Sequence, residues 1–220
     1  IRQFLTELKP AMVEMDKLML SNRIFIDRLE GIGILPKEDA IALGVTGPNL
    51  RASGVEYDVR RAKPYLFYNE IDFKVPTFSD GDCLARYYQR GDEVRESMKI
   101  LDQCLEKIPQ GAVIANEPKK VLSHKTEIYS KMEELIHDFM IINHGINPPV
   151  GDTFFSAENP KGELGFYLVS NGTGQPWKMK IHSPSFCNLQ AIPQLCKGAM
   201  ISDVVAIVGS LDPVMGEADK

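Results

Sequence analysis

The stretch from residue 82 to residue 108, DCLARYYQRGDEVRESMKILDQCLEKI, decides the fold class of this chain. Val94, Met98, Leu101, Leu105 and Ile108 recur at spacings of three and four, which places them on one stripe of a helix. Arg90, Glu93, Glu96 and Lys99 back that stripe with charge. The pattern predicts an amphipathic helix over 82–108, stopped by Pro109 and Gly111. Gly91 inside it costs about 1 kcal/mol against alanine, so a packing reason is expected there. A second stripe, Ile128, Met132, Leu135, Ile136, Phe139 and Met140, runs towards Gly145 and Pro148-Pro149.

Upstream, Phe4, Leu8, Met12, Met15 and Met19 keep helical spacing, with Pro10 expected to kink or delay that helix. A short helix is predicted over 22–30, ended by Gly31, and another over 37–43, opened by Pro36. Between 44 and 81, Gly44, Gly47, Pro48, Gly54, Pro64, Pro76 and Gly81 interrupt any period and predict a long irregular loop. Loops of that length inside a compact domain tend to be functional. Downstream the period changes. Residues 165–170 and 177–181 read as two strands joined by Asn171-Gly172-Thr173-Gly174, a hairpin turn signal. After Pro184 a helix is expected through Leu189, Ile192, Leu195 and Met200, then a final apolar segment over 201–208. The reading is a mainly α chain with one small β-hairpin, without internal repeat or low-complexity linker.

The chain has 220 residues, 44% hydrophobic and 25% charged, with a net charge of −5. That length buries a real core. The acidic balance argues against a nucleic-acid partner, which wants a basic patch. No apolar run approaches the roughly 20 residues that span a bilayer, and no signal-peptide pattern is present. Cys83, Cys104, Cys187 and Cys196 form no C-x-x-C pair and read as incidental thiols of a reducing compartment. Opening at Ile1, directly in an amphipathic pattern, is expected of a fragment or trimmed product.

Four stretches carry more specific information. In the loop G-P-N-L-R-A-S-G-V-E-Y-D-V-R-R, residues 47–61, Arg51, Asp58, Arg60 and Arg61 have the charges of a salt-bridged surface loop. It is not a phosphate-binding loop, since it lacks G-x-x-x-x-G-K-[ST] and follows no strand. Arg86 and Arg90 are four apart and on spacing alone form a solvated helix face. Glu163, at a strand start, reads as a turn residue. His137 and His144 are seven apart, too weak a pattern for zinc, and His124 reads as a surface residue. No catalytic residue and no metal site are predicted. The fourth stretch is the tail, Asp212-Pro213-Val214-Met215-Gly216-Glu217-Ala218-Asp219-Lys220.

That tail resembles the C-terminal Asp-Pro-Cys-x-x-Cys metal motif of nickel-iron hydrogenase large subunits, with Val214 and Glu217 at the cysteine positions. A valine ligates no metal, and such soft sites need thiolates. A hydrogenase-like chain without its metal is similar to the quinone-site (D-type) subunit family of NADH-quinone oxidoreductase, respiratory complex I. The rest of the chain carries the same resemblance in the same order. Residues 47–60 resemble G-P-x-L-R-x-S-G-x-x-x-D-x-R, with Arg51, Asp58 and Arg60 in place. Residues 81–95 resemble G-D-x-x-x-R-Y-x-x-R-x-x-E-x-R, with Arg86 and Arg90 in place, and Cys83 falls inside that signature. Residues 160–172 resemble the hairpin P-x-G-E-x-G-x-Y-L-V-S-x-G, with Glu163 in place. Departures stand at Lys220 for the usual arginine, Ala199 for a frequent histidine and His182 for a frequent basic residue. Residues 77–79 and 87–89 depart as well.

The resemblance implies the C-terminal portion, over 1–220, of a single hydrogenase-large-subunit-like domain with a helical core. The N-terminal part, with the hairpin whose histidine and tyrosine hold the quinone headgroup in the family, is outside it. Val214 and Asp219 are implied at or next to the quinone cavity, with Gly209, Asp212, Met215 and Glu217 around them. At the level of the complex, NADH is oxidised on a distant subunit. Electrons reach a [4Fe-4S] cluster on the neighbouring iron-sulfur (B-type) subunit and reduce quinone, with coupled proton translocation. The C-type subunit and the membrane-arm H-type subunit are further implied partners. The implied location is peripheral, on the cytoplasmic face of the inner membrane or the mitochondrial matrix face. A ferredoxin-dependent or hydrogenase-related membrane complex, and a truncated non-catalytic scaffold, are the alternative readings.

Overall fold

A computed structural model of the chain describes residues 1–114, 117 and 120–219. Lys220, where the family usually has arginine, lies outside them. The backbone divides into two compact units, 1–107 with 156–164 and 182–220, and 108–155 with 165–181. The whole is helix-rich with one three-stranded sheet, an α+β arrangement.

In the first unit, α1 runs over Arg2–Leu20 with Pro10 inside it. Proline neither delays nor ends the helix, because the residues around it are exposed and water can serve the carbonyl it leaves unbonded. The inward face is also shifted from the expected stripe. Leu5 is buried and Leu8, Met12 and Leu20 are half-buried, whereas Phe4, Met15 and Met19 are exposed. α2 (Arg23–Asp27) starts where the Asn22 side chain accepts the Ile24 N–H at 3.0 Å. α3 (Lys37–Ala42) follows Pro36, with Glu38 and Asp39 in its first turn, where carboxylates suit the helix dipole.

The loop of 44–81 holds two short helices, α4 (Pro48–Arg51) and α5 (Val59–Ala62), and residues 45–53 are buried throughout. It is core, not a surface excursion. α6 (Cys83–Lys107) begins after Asp82, whose carboxylate accepts the N–H groups of Ala85 at 2.7 Å and Gly31 at 2.8 Å. Its expected stripe is only partly inward: Met98 is buried, but Val94, Leu101 and Ile108 are exposed. The buried residues of its first half are mixed, Arg86 and Gln89 lying beside Cys83 and Ala85. The packing reason expected at Gly91 is not found, since an added Cβ would meet only the Arg95 side chain at 3.5 Å.

The helix expected after Pro184 is broken into α9 (Pro184–Leu189) and α10 (Ile192–Leu195), with Met200 beyond both and exposed. α11 (Asp203–Leu211) and α12 (Met215–Ala218) complete the unit. The core gathers Leu35, Ala40, Val45, Leu50, Cys83, Ala191, Leu195, Ile207 and Leu211. Each fully buried leucine or isoleucine there contributes roughly 1.5–3 kcal/mol. A smaller cluster joins Ile71, Phe73 and Ile100.

In the second unit the expected 128–140 stripe divides into α7 (Lys125–Ile128) and α8 (Met132–His144). None of the buried hydrophobic side chains found among the described residues lies in this unit. The hairpin is present and longer than expected: β2 covers Gly162–Ser170 and β3 covers Lys178–His182. A third strand, β1 (Gly151–Asn159), carries no strand signal in its sequence, because its mostly exposed residues show little alternation. The order is β1-β2-β3, and the short connections make neighbours antiparallel.

Candidate functional site

The loop charges converge on Arg51. Gly47 (φ 67°, ψ −144°) lets Pro48 open α4, and this turns Arg51 into the interior at 1% exposure. Its Nε donates to Glu93 Oε1 at 2.7 Å, and its Nη1 donates to Glu158 Oε1 at 2.9 Å and the Tyr57 carbonyl at 3.0 Å. Asp58 stands 3.8 Å away. Burial alone would lower the Arg51 pKa, but Glu93, Glu158 and Asp58 raise it. Asp58 caps α5 through the Arg60 N–H at 2.8 Å and binds the Arg60 guanidinium at 2.6 Å. Burial favours a higher Asp58 pKa, yet the Arg60 bonds and the Arg51 charge bring it below the ordinary value. Arg60 in turn lies 4.9 Å from the Phe73 ring centre. The expectation of a salt-bridged loop holds in its pairing and fails in its location: the pairs are buried.

Arg86 and Arg90 are not a solvated face either. Arg86 is fully buried, donating from Nη2 to the carbonyls of Gly33 at 2.7 Å and Gly81 at 2.9 Å and from Nη1 to Ser210 Oγ at 3.0 Å. Burial lowers its pKa. The planar guanidinium fork reaches several carbonyl oxygens at once, which is what makes its burial tolerable. Arg90 donates to Asn49 Oδ1 at 3.0 Å and to the Arg86 carbonyl at 3.1 Å, and its Nε lies 3.7 Å from Asp212. Asn49 also donates to the Leu211 carbonyl at 3.1 Å. The loop, α6 and the end of α11 are therefore tied at one point.

Asp212 closes α11 in the left-handed region (φ 52°, ψ 56°) and pairs with Lys161. A cavity of about 430 Å³ opens over these groups, walled by Arg51, Arg60, Arg90, Glu158, Lys161 and Asp212 among others. A second, mainly apolar one of about 340 Å³ shares Arg90 and Asp212 and adds Phe25, Leu29, Tyr87 and Gly209.

The tail residues separate. Gly209 and Asp212 line the apolar cavity, while Val214, Met215 and Asp219 are exposed at the surface. Glu217 is half-buried and fully engaged: Ser185 Oγ donates to one carboxylate oxygen and Asn159 Nδ2 donates to the other at 3.0 Å. Val214 N donates to the same Ser185 Oγ at 3.2 Å. Where the resembled metal motif has its two cysteines there is thus an apolar side chain and a carboxylate spent on internal hydrogen bonds. Glu163 lies in β2, not in a turn, and accepts the Tyr57 hydroxyl at 3.2 Å. Burial and that carboxylate raise the Tyr57 pKa.

Glu158, Lys161, Asn49 and Ser185 escape sequence reasoning. Nothing in the local pattern marks Glu158, whose role comes from strand β1 running past Arg51. Asn49 and Lys161 do lie inside the family-like motifs of 47–60 and 160–172, and that is the only signal the sequence offers for them. Among the described residues no three His, Cys, Asp or Glu side chains gather to hold a metal ion. His137 faces the Val121 carbonyl at 3.2 Å instead.

Residues 1–220 match the sequence pattern of the family described as Respiratory-chain NADH dehydrogenase, 49 Kd subunit. The chain is 58% identical over 220 residues to the first D-type subunit of NADH-quinone oxidoreductase from Chloroherpeton thalassium, covering all of this chain and 50% of that protein. It is 49% identical over 221 residues to the D-type subunit of Salinibacter ruber (100% of this chain, 49% of that protein). It is 50% identical over 220 residues to the D-type subunit of Methylacidiphilum infernorum (100% and 53%). The chain spans about half the length of the curated relatives it matches.

Proposed function

We propose, from the premise that the chain belongs to the respiratory-chain NADH dehydrogenase 49 kDa subunit family, that it forms the tail side of a quinone cavity in NADH-quinone oxidoreductase. The observation that carries this reading is the tail itself. Asp212 is fixed by Lys161 and Arg90, Glu217 by Ser185 and Asn159, and Val214 between them presents an apolar side chain outward. Where the resembled motif supplies thiolates, this tail supplies an apolar side chain and an internally bonded carboxylate, suited to placing a hydrophobic electron acceptor rather than holding an ion. A thiolate-ligated cluster does not fit the donors of this chain, because among the described residues its cysteines do not gather. The [4Fe-4S] cluster that supplies electrons belongs in this reading to the neighbouring iron-sulfur subunit.

The chain's own contribution is positional and electrostatic. Val214 and Met215 offer apolar surface and Asp219 a carboxylate at its edge, while Glu217 holds the tail in place through Ser185 and Asn159. NADH oxidation, cluster electron transfer and proton translocation are functions of the assembly. The B-type, C-type and H-type subunits are its proposed neighbours at a peripheral membrane position on the cytoplasmic or matrix face. No helix among the described residues is long and apolar enough to cross a membrane.

The test is NADH-driven quinone reduction by the full-length tagged protein, purified within its complex in mild detergent, with and without a quinone-site inhibitor. Val214→Met and Asp219→Asn are expected to weaken inhibitor or quinone affinity while leaving complex yield normal. An unchanged inhibitor response at normal yield refutes the cavity assignment. A complex that ignores NADH transfers the reading to ferredoxin-dependent or hydrogenase-related relatives, and failure to form any complex transfers it to a scaffold.

A further inference from the structure

One nucleophile in the first unit has a base beside it that the proposed function does not use. Cys187, half-buried in α9, lies with Sγ 3.7 Å from Nε2 of His182, the last residue of β3. The other ring nitrogen, Nδ1, is 3.3 Å from the backbone carbonyl of Glu163 in β2. A carbonyl oxygen only accepts, so Nδ1 carries the proton of the neutral ring and Nε2 presents its lone pair to the thiol. The tautomer is set by a strand backbone, not by solvent. This is the arrangement in which a nucleophile meets a base that a third group orients.

We infer that Cys187 and His182 form a thiol-exchange site that takes up low-molecular-weight disulfides as a reversible mixed disulfide. His182 Nε2 accepts the Cys187 proton as the sulfur attacks one sulfur of the disulfide. The bond between Cys187 Sγ and that sulfur forms while the reagent's own S–S bond breaks. The leaving thiolate then takes the proton from His182, so one thiol and one disulfide give one mixed disulfide and one thiol. No other oxidant is needed, and excess thiol reverses the step. Burial pushes the Cys187 thiol up, so the resting group keeps its proton and the adjacent base is what releases it. His182 is exposed and Cys187 half-buried.

The site's position gives it a consequence. Cys187 is two residues from Ser185, whose hydroxyl holds Glu217 and the Val214 N–H. A group added at Cys187 therefore lands within one turn of the tail's anchor.

Two internal controls exist in the same chain. Cys104 is more exposed and Cys196 is half-buried like Cys187, and among the described residues neither is hydrogen-bonded to a histidine. The experiment treats the full-length protein in its complex with glutathione disulfide and follows mixed-disulfide formation at each cysteine by peptide mass spectrometry. Cys187 is expected to react on the order of a hundredfold faster than Cys104 and Cys196, the modest end of what a positioned base contributes. His182→Asn is expected to bring Cys187 down to the rate of those two without changing theirs, and added reduced glutathione to reverse the product. A wild-type Cys187 no faster than both controls overturns the proposal, a result that needs no variant to fold. An unchanged Cys187 rate in His182→Asn overturns it as well.

Discussion

Replacing Gly47 by alanine tests the crossing that builds the site. Gly47 stands at φ 67°, and a Cβ there would lie 2.5 Å from Gly162 Cα, 2.6 Å from the Lys161 carbonyl and 2.7 Å from Gly162 N. All three are backbone atoms of the β1–β2 turn, so no side chain can swing aside. The left-handed conformation costs a non-glycine residue roughly 1–3 kcal/mol. Forcing the two backbones apart adds roughly 1–3 kcal/mol, as overpacking does elsewhere. The expected loss is therefore roughly 2–6 kcal/mol. Gly44→Ala separates the two contributions, for Gly44 has φ 66° but nothing within 4 Å of its Cβ. It should lose only the conformational share, roughly 1–3 kcal/mol. Denaturant unfolding of the purified full-length variants measures both. Gly162→Ala, whose Cβ would strike Thr46 Oγ1 and come within 2.9 Å of Gly47 N, should combine with Gly47→Ala less than additively, since both push on one contact. Equal losses for Gly47→Ala and Gly44→Ala would refute the reasoning, because the close crossing would then contribute nothing.

Gly209 lines the apolar cavity inside α11 and has nothing within 4 Å of its Cβ; Gly209→Ala should stabilise by about 0.5–1 kcal/mol through helix propensity, so weaker inhibitor binding in a more stable protein would report the cavity directly. Arg86→Lys should cost roughly 2–4 kcal/mol, since one ammonium cannot replace the fork that serves the Gly33 and Gly81 carbonyls, and a melting curve coincident with wild type would exclude this. Burial and the Asp58 charge raise the Glu158 pKa against the pull of Arg51; the folded state then holds that proton more tightly than the unfolded chain, and stability falls as pH rises from the ordinary glutamate range to the folded value. Asp58 acts oppositely, its contribution present above the ordinary aspartate range and lost as pH falls through its lowered pKa. Unfolding measured across this range should keep the acid-side loss in Glu158→Gln and lose the decline above it; an unaltered pH profile would count against Glu158 as its source.

The periodic parts of the chain are readable. Asn22 capping α2, Pro36 opening α3, Asp82 starting α6 and the turn after Ser170 follow local rules, and each places its element. Periodicity is weaker on which side faces inward. The stripe through Val94, Leu101 and Ile108 is regular but exposed, while the buried face of α6 carries Arg86 and Gln89. A hydropathy rule assigns arginine to solvent by default, and only a tertiary supply of carbonyl oxygens reverses that.

Sequence by itself determined the helix-rich class, the hairpin and, through motif order, the family. It also established that Val214 and Glu217 cannot be thiolate ligands, since this follows from residue identity. Only tertiary structure decided that residues 45–53 are core, that Glu158 completes the Arg51 cluster, that Ser185 holds the tail and that His182 faces Cys187. The physical reason is the same in each case. Side-chain type and spacing act over a few residues, whereas the energy of a buried charge or an oriented imidazole depends on backbone carbonyls and carboxylates distant in sequence, brought into hydrogen-bonding reach only when the chain folds.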